Sequence, residues 1–206
     1  MTNPILSSMS KRKLCHHCER PIKTCLCDVM TCLDCDYELV ILQDPKEAKH
    51  ALSSAPILAK SITGARLIIG DTFNPEEVLG DDWQGNSLLV FPHTEGLSSE
   101  YALKQTFKYL LLLDGTWRKV ARMMHTNPWL TELPCIAIES SNGSEYQIRK
   151  SPREDGLSTI EAAVHTLNAL HPHTDFSDIL TAFRKMITYQ VDAMGEETFN
   201  KNYQRP

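Results

Sequence analysis

The sequence predicts an α/β protein, a parallel sheet layered with helices, preceded by a small metal-binding segment. Three observations carry that expectation. Past residue 37, short β-rich runs alternate with helical patterns, which implies parallel pairing and right-handed crossovers. Leu110–Leu113 is continuously apolar, as expected of a strand buried on both faces. Six of the seven cysteines crowd into residues 15–35, where a metal explains them better than scattered structural roles do. The expected organisation is a Cys-rich segment over 1–36, the α/β domain over 37–195 and a polar tail over 196–206.

Taken in order, strands are expected at Glu38–Leu42, Ala65–Ile69, Ser87–Phe91, Tyr109–Leu113 and Cys135–Glu139, with a weaker one at Tyr146–Arg149. Helical patterns occupy Pro45–Lys60, Ser98–Gln105, Trp117–His125, Ser158–Leu170 and Asp175–Met194. Ser158-x-x-Glu161 reads as a capping box opening the fourth of these helices. With 206 residues, 42% of them hydrophobic, the chain can bury a full core without disulfide staples.

Charge narrows the function classes. A net charge of −5 excludes a protein that coats nucleic acid by bulk positive charge. Locally the balance differs. Residues 1–30 carry five cations (Lys11, Arg12, Lys13, Arg20, Lys23) against Glu19 and Asp28. Residues 101–125 carry Lys104, Lys108, Arg118, Lys119 and Arg122 against Asp114 alone. A phosphate-bearing partner would therefore meet basic patches, which are otherwise solvated faces. No apolar run approaches the ~20 residues of a membrane span. The polar start of the chain does not resemble a secretory signal, so a cytoplasmic protein without membrane contact is expected.

Cys15-x-x-Cys18 has the spacing with which two thiolates bind one metal from a tight turn. Cys25-x-Cys27 could complete a tetrahedral four-thiolate site, and Cys32-x-x-Cys35 competes for the same role. Structural zinc is the expected occupant, because no ligand position is left open for a catalytic water. His16 and His17 read as exposed linker residues, and Cys135 as a small core hydrophobe.

Ligands gather beyond the carboxyl ends of strands in open parallel sheets. The informative end here is Leu113-Asp114-Gly115-Thr116-Trp117-Arg118-Lys119. Asp114 leaves a buried strand, Gly115 permits an unusual backbone angle, and Thr116 can cap the next helix. That is an ordinary strand-to-helix turn unless the acid, the indole and the cations of Arg118, Lys119 and Arg122 serve a ligand. A second candidate is the helix start at Ser158 beside Arg149 and Lys150, a seat for a carboxylate or phosphate. Gly-x-Gly-x-x-Gly, Walker, nucleophile-elbow and zinc-protease signatures are absent from the sequence.

Several segments together resemble one family. Cys15-x-x-Cys18-x-Arg20-Pro21-x-x-x-Cys25-x-Cys27, Leu42-Gln43-x-Pro45-x-Glu47, Asp114-x-Thr116-Trp117, Arg149-Lys150-x-Pro152 and Leu157-Ser158-Thr159-x-Glu161-Ala162 occur in the order seen in DTW-domain proteins. The resemblance spans about residues 15–170. Asp44 stands where that family commonly has His, and Cys32 and Cys35 look like additions. The resemblance implies a fold related to knotted SPOUT-like methyltransferases. It also implies a tRNA-uridine aminocarboxypropyltransferase, which moves the 3-amino-3-carboxypropyl group of S-adenosylmethionine to N3 of a tRNA uridine.

In that light Asp114, Thr116 and Trp117 form the catalytic turn, with Asp114 the candidate base for the N3 proton. Trp117 either stacks on a base or anchors its helix in the core. Phe91, Pro92 and Leu113 are expected to wall the donor pocket, with Arg149 or Lys150 and the helix start (Ser158, Thr159, Glu161) holding the donor's carboxylate. Arg118, Lys119 and Arg122 would contact tRNA phosphates. Cys15, Cys18, Cys25 and Cys27 are the expected zinc ligands. Two other readings stay open: an S-adenosylmethionine-dependent RNA methyltransferase, and a non-catalytic zinc-containing RNA-binding module.

Overall fold

A computed structural model of the chain describes residues 13–91, 96–136, 157–195 and residue 198. Its centre is a five-stranded, wholly parallel sheet of order β2-β1-β4-β3-β5. The strands are β1 (Glu38–Gln43), β2 (Arg66–Ile69), β3 (Ser87–Val90), β4 (Tyr109–Asp114) and β5 (Cys135–Ile136). Side chains alternate between the two faces of the pleat. Leu39, Ile41, Leu88, Val90, Leu110 and Leu112 therefore enter one core layer. Val40, Leu42, Leu89, Leu111 and Leu113 enter the other. Helices α1 (Ala55–Ser61), α4 (Ser99–Ala102), α6 (Thr159–Leu170) and α7 (Ile179–Met194) cover the first face. Helices α2 (Pro75–Leu79), α3 (Trp83–Asn86) and α5 (Trp117–Thr126) cover the second. The unbroken apolar run of β4 is buried along its whole length, as a central strand covered on both faces requires.

Some expected elements are shorter. The pattern over Pro45–Lys60 yields only α1, because Pro56 lies in the helix's first turn, where its missing N–H costs nothing. Ahead of it the chain turns: the Asp44 carboxylate accepts from Lys46 N–H at 2.8 Å and Glu47 N–H at 3.3 Å. The expected helix at Ser98–Gln105 contracts to α4. The last helix starts at Ile179 rather than Asp175, since Asn168 and Asp175 side chains take the N–H groups of Phe176 and Ser177 into turns. Helix α2, absent from the sequence reading, carries legible signals in its Asn74 cap, Pro75 and Glu76-Glu77 first turn. The strand at Tyr146–Arg149 and residues 137–139 lie outside the described residues, as does the tail apart from Thr198.

The Cys-rich segment is sewn to the sheet domain. Leu26, between two of the cysteines, is fully buried in the same core layer as Leu39 and Ile41. Leu33 bridges Ile62 in parallel, Lys60 pairs with Glu19 at 3.3 Å, and Lys185 of α7 pairs with Asp28. No helix among the described residues is long and apolar enough to cross a membrane.

Candidate functional site

β1 and β4 are neighbours in register, so Gln43 and Asp114 end side by side at the carboxyl edge of the sheet. The chain reverses its direction of strand placement between these two strands, which makes their ends a switch point. Leu113 points into the α5 layer, so Asp114 points to the α6 side. Its carboxylate is only 3% exposed. Oδ2 accepts from Gln43 Nε2 at 2.7 Å, and Oδ1 accepts from the Thr159 hydroxyl at 2.5 Å. The second proton of the Gln43 amide goes to Ser53 Oγ at 2.8 Å. The two donated bonds fix which way the amide faces, and Gln43 Oε1 is left buried without a hydrogen-bond partner among the described residues.

Thr159 reaches Asp114 because α6 begins there. The expected capping box forms: Ser158 Oγ accepts from Glu161 N–H, and Glu161 Oε2 accepts from Ser158 N–H at 2.8 Å and from its hydroxyl at 2.5 Å. Glu161 is itself buried. A carboxylate of the chain thus already sits at this helix start, as the macrodipole favours.

Across the strand ends, Phe91 and Trp117 meet edge to face with centroids 6.4 Å apart. Trp117 is half-buried, between the stacking and core-anchor readings. Thr116 occupies the cap position of α5 with extended backbone, yet its hydroxyl makes no capping bond. Gly115 does not use the positive φ that a glycine permits. What restricts the position is space, since a Cβ there would meet Lys119 Cβ at 3.1 Å.

The cations of α5 face acids. Lys119 Nζ donates to Glu47 at 2.9 Å and lies 3.5 Å from Asp44. Arg122 donates to Asp44 at 2.6 Å and to Asp71 at 2.8 Å. Burial pushes the Asp44 carboxyl up. The Lys46 and Glu47 N–H groups, with Lys119 and Arg122, outweigh it and hold Asp44 below the usual carboxylate range. The Glu47 bond, together with both acids' charge, raises Lys119 against the smaller penalty of its burial. Arg118 is exposed. Pro92, Arg149 and Lys150 lie outside the described residues.

At the front of the chain, the sulfurs of Cys15, Cys18, Cys25 and Cys27 all lie within 4.8 Å of one another. Cys15 and Cys27 are 3.5 Å apart, Cys18 and Cys25 3.6 Å. Four thiolates at about 2.3 Å from a tetrahedral zinc would stand about 3.8 Å apart, so the cluster could hold a metal such as zinc. Backbone N–H groups of Cys18 and His17 lower the Cys15 pKa to about 6. Side-chain hydrogen bonds with Cys25 and Cys15 push Cys27 up to about 12, so the thiols share protons among themselves when no metal is bound. Cys32 and Cys35 stand apart from it, beside Thr63 and His171 respectively. His16 and His17 are exposed, as expected. Gln43 and Ser53 are the site residues that the candidate set lacked. Gln43 stood in the quoted motif, but only the strand register shows that it faces Asp114.

The sequence pattern described as the DTW domain matches residues 12–191. This chain belongs to the DTW-domain family. A mouse (Mus musculus) relative named tRNA-uridine aminocarboxypropyltransferase 2 is 26% identical over 204 residues, covering 94% of this chain and 68% of its own length. A Drosophila melanogaster relative of the same name is 27% identical over 205 residues, with 94% and 81% covered. In Arabidopsis thaliana, tRNA-uridine aminocarboxypropyltransferase A is 25% identical over 218 residues, with 87% and 81% covered. No solved structure matches the chain. Within the DTW domain, the Asp114 turn and the Ser158 helix start converge through the Thr159 bond, while the four-cysteine cluster forms a separate centre.

Proposed function

We propose that this DTW-domain protein is a tRNA-uridine aminocarboxypropyltransferase with a SPOUT-like fold, working in the cytoplasm, where its thiols stay reduced. The activity named for its relatives supports the reading. The single observation that carries it is the buried Asp114 carboxylate, held by donors from β1 and α6 at the sheet's switch point.

Uridine N3 is a poor nucleophile while protonated, so transfer needs a positioned base. Asp114 is assigned that role, its carboxylate oriented by Gln43 and Thr159. S-adenosylmethionine supplies the electrophilic carbon and the methylthioadenosine leaving group. Asp114 receives the N3 proton as the N3–C bond forms and the C–S bond breaks. Phe91, Leu113 and Trp117 supply an apolar wall at the strand ends, Pro92 is assigned to it by sequence alone, and Thr116 completes the turn. Arg149, Lys150 and the Ser158 helix start are assigned to the donor's carboxylate by motif. Arg118, Lys119 and Arg122 border the same edge and are assigned to tRNA phosphates, the latter two sharing their charge with Asp44, Glu47 and Asp71. Zinc on Cys15, Cys18, Cys25 and Cys27 has a structural role.

Unmodified tRNA incubated with donor labelled separately in the methyl or carboxypropyl group tests the proposal. Carboxypropyl label in RNA is the expected result. Methyl label would make the protein a methyltransferase, and no label a non-catalytic binding module.

A further inference from the structure

A cavity of about 950 Å³ lies away from the Asp114 turn. It lies between the cysteine turn, the loop leading into α1 and Gln190 of α7. Its size falls at the upper end of the ~300–1,000 Å³ range of ligand clefts. The rim is basic: Lys13, Lys23 and Lys60 border it, with Glu19 the one acid in the lining. Lys60 is occupied by Glu19, and Arg20 is turned inward, donating to Thr24 and Ala51 carbonyls. Lys13 and Lys23 are exposed, and neither has an acid partner among the described residues. The floor is apolar, with Ile22 56% exposed beside Pro21 and Leu52. At the inner end stands Ser53, which accepts from Gln43, whose other proton is on Asp114.

We infer that this groove holds the RNA strand flanking the target uridine, with Lys13 and Lys23 on consecutive stretches of phosphate backbone and the apolar floor under sugar and base faces. The inference deepens the proposed function and rests on it for the identity of the polymer as tRNA. Three observations favour a polyanion over an uncharged ligand or an acidic peptide. The two unpaired ammonium groups stand at an open rim, where a phosphate keeps its second face in water. No Phe, Tyr or Trp lines the groove and His50 supplies its one aromatic ring, so stacking platforms are few and the backbone must supply most of the affinity. The inner end leads to the candidate base through only two side chains, so an occupant's chain continues toward the reacting centre.

The test uses full-length, metal-loaded protein and a tRNA transcript, with Kd measured across a range of salt. Lys13→Gln with Lys23→Gln should weaken binding several-fold and reduce the slope of log K against log salt by about 1.4–1.8, as two lost phosphate contacts require. Metal content and Tm should hold, because both side chains are exposed, and Lys13→Arg with Lys23→Arg should restore the slope. Lys104→Gln, a cation elsewhere on the surface, should leave the slope where it was. An unchanged slope and Kd in the double Gln variant would overturn the inference, as would a loss confined to binding of an acidic peptide such as polyglutamate. The labelled-donor assay on the unaltered protein separates the two readings. Transfer with an unmoved slope sinks only the groove, whereas a Lys-dependent slope without transfer sinks only the enzyme.

Discussion

Around α5, Lys119 and Arg122 meet Asp44, Glu47 and Asp71, acids 51 to 78 positions away in the sequence. In the cysteine segment, Lys13 and Lys23 meet no acid among the described residues. Both stretches stand out as basic when charges are counted along the chain, yet the fold spends their charge differently. On α5 it tightens the loop after β1 against the helix and so frames the turn that carries Asp114. In the cysteine segment it remains available to solvent or to a partner. Local net charge therefore locates cations without showing which of them are already answered.

The largest expected effect lies on the α5 side of this contrast. Asp114→Asn should lower turnover by roughly 10²–10⁴-fold, the usual worth of a positioned base, while Kd values for tRNA and donor stay close to the original. Normal turnover in single-turnover assays would remove Asp114 from the chemistry.

Next come the ties that hold the cysteine segment in place. Leu26→Ala should cost about 2–5 kcal/mol in a urea melt, because the side chain is fully enclosed between cysteines that cannot follow it inward. Chelation or Cys15→Ser should strip about one metal per chain and lower Tm, measured by elemental analysis and calorimetry. A metal-free chain that melts at the original temperature would show that the segment holds without its ion.

Asp44→Asn sharpens the comparison directly. The amide oxygen keeps the turn to Lys46 and Glu47 but releases Lys119 and Arg122 from one charge. The salt slope for tRNA should then steepen by up to about one. The stability-pH curve should change as well. Asp44 has a depressed pKa when folded, so its contribution is complete above the unfolded carboxyl value of about 3.9 and fades as pH falls through the lower folded value. The variant should lose that portion of the acid decline below about pH 4. The smallest effect is expected from Arg118→Gln, a change in slope of less than one unit with turnover kept within about twofold.

How much of this was legible follows from the range of the forces involved. β1, β3 and β4 announced themselves because each is buried along most of its run, and the Ser158–Glu161 box because both partners lie within one turn. The α1 region misled because an amphipathic pattern ran through Pro56, whose missing N–H set the real start. Spacing alone left six cysteines competing; the family motif picked out Cys15, Cys18, Cys25 and Cys27, which the fold gathers while Cys32 and Cys35 turn toward Thr63 and His171. The acids that answer Lys119 and Arg122 come from β1's exit and the loop after β2, a pairing that no local window contains. The same is true of Gln43 and Asp114, which 71 positions separate.

Gln43 carries a further consequence. A methionine there would remove the partnerless Oε1 but would also take from the buried Asp114 carboxylate and from Ser53 the donor that Gln43 supplies, a loss at least as costly. Durability and chemistry therefore pull the same way at this position, and a screen for heat-resistant variants should leave it untouched.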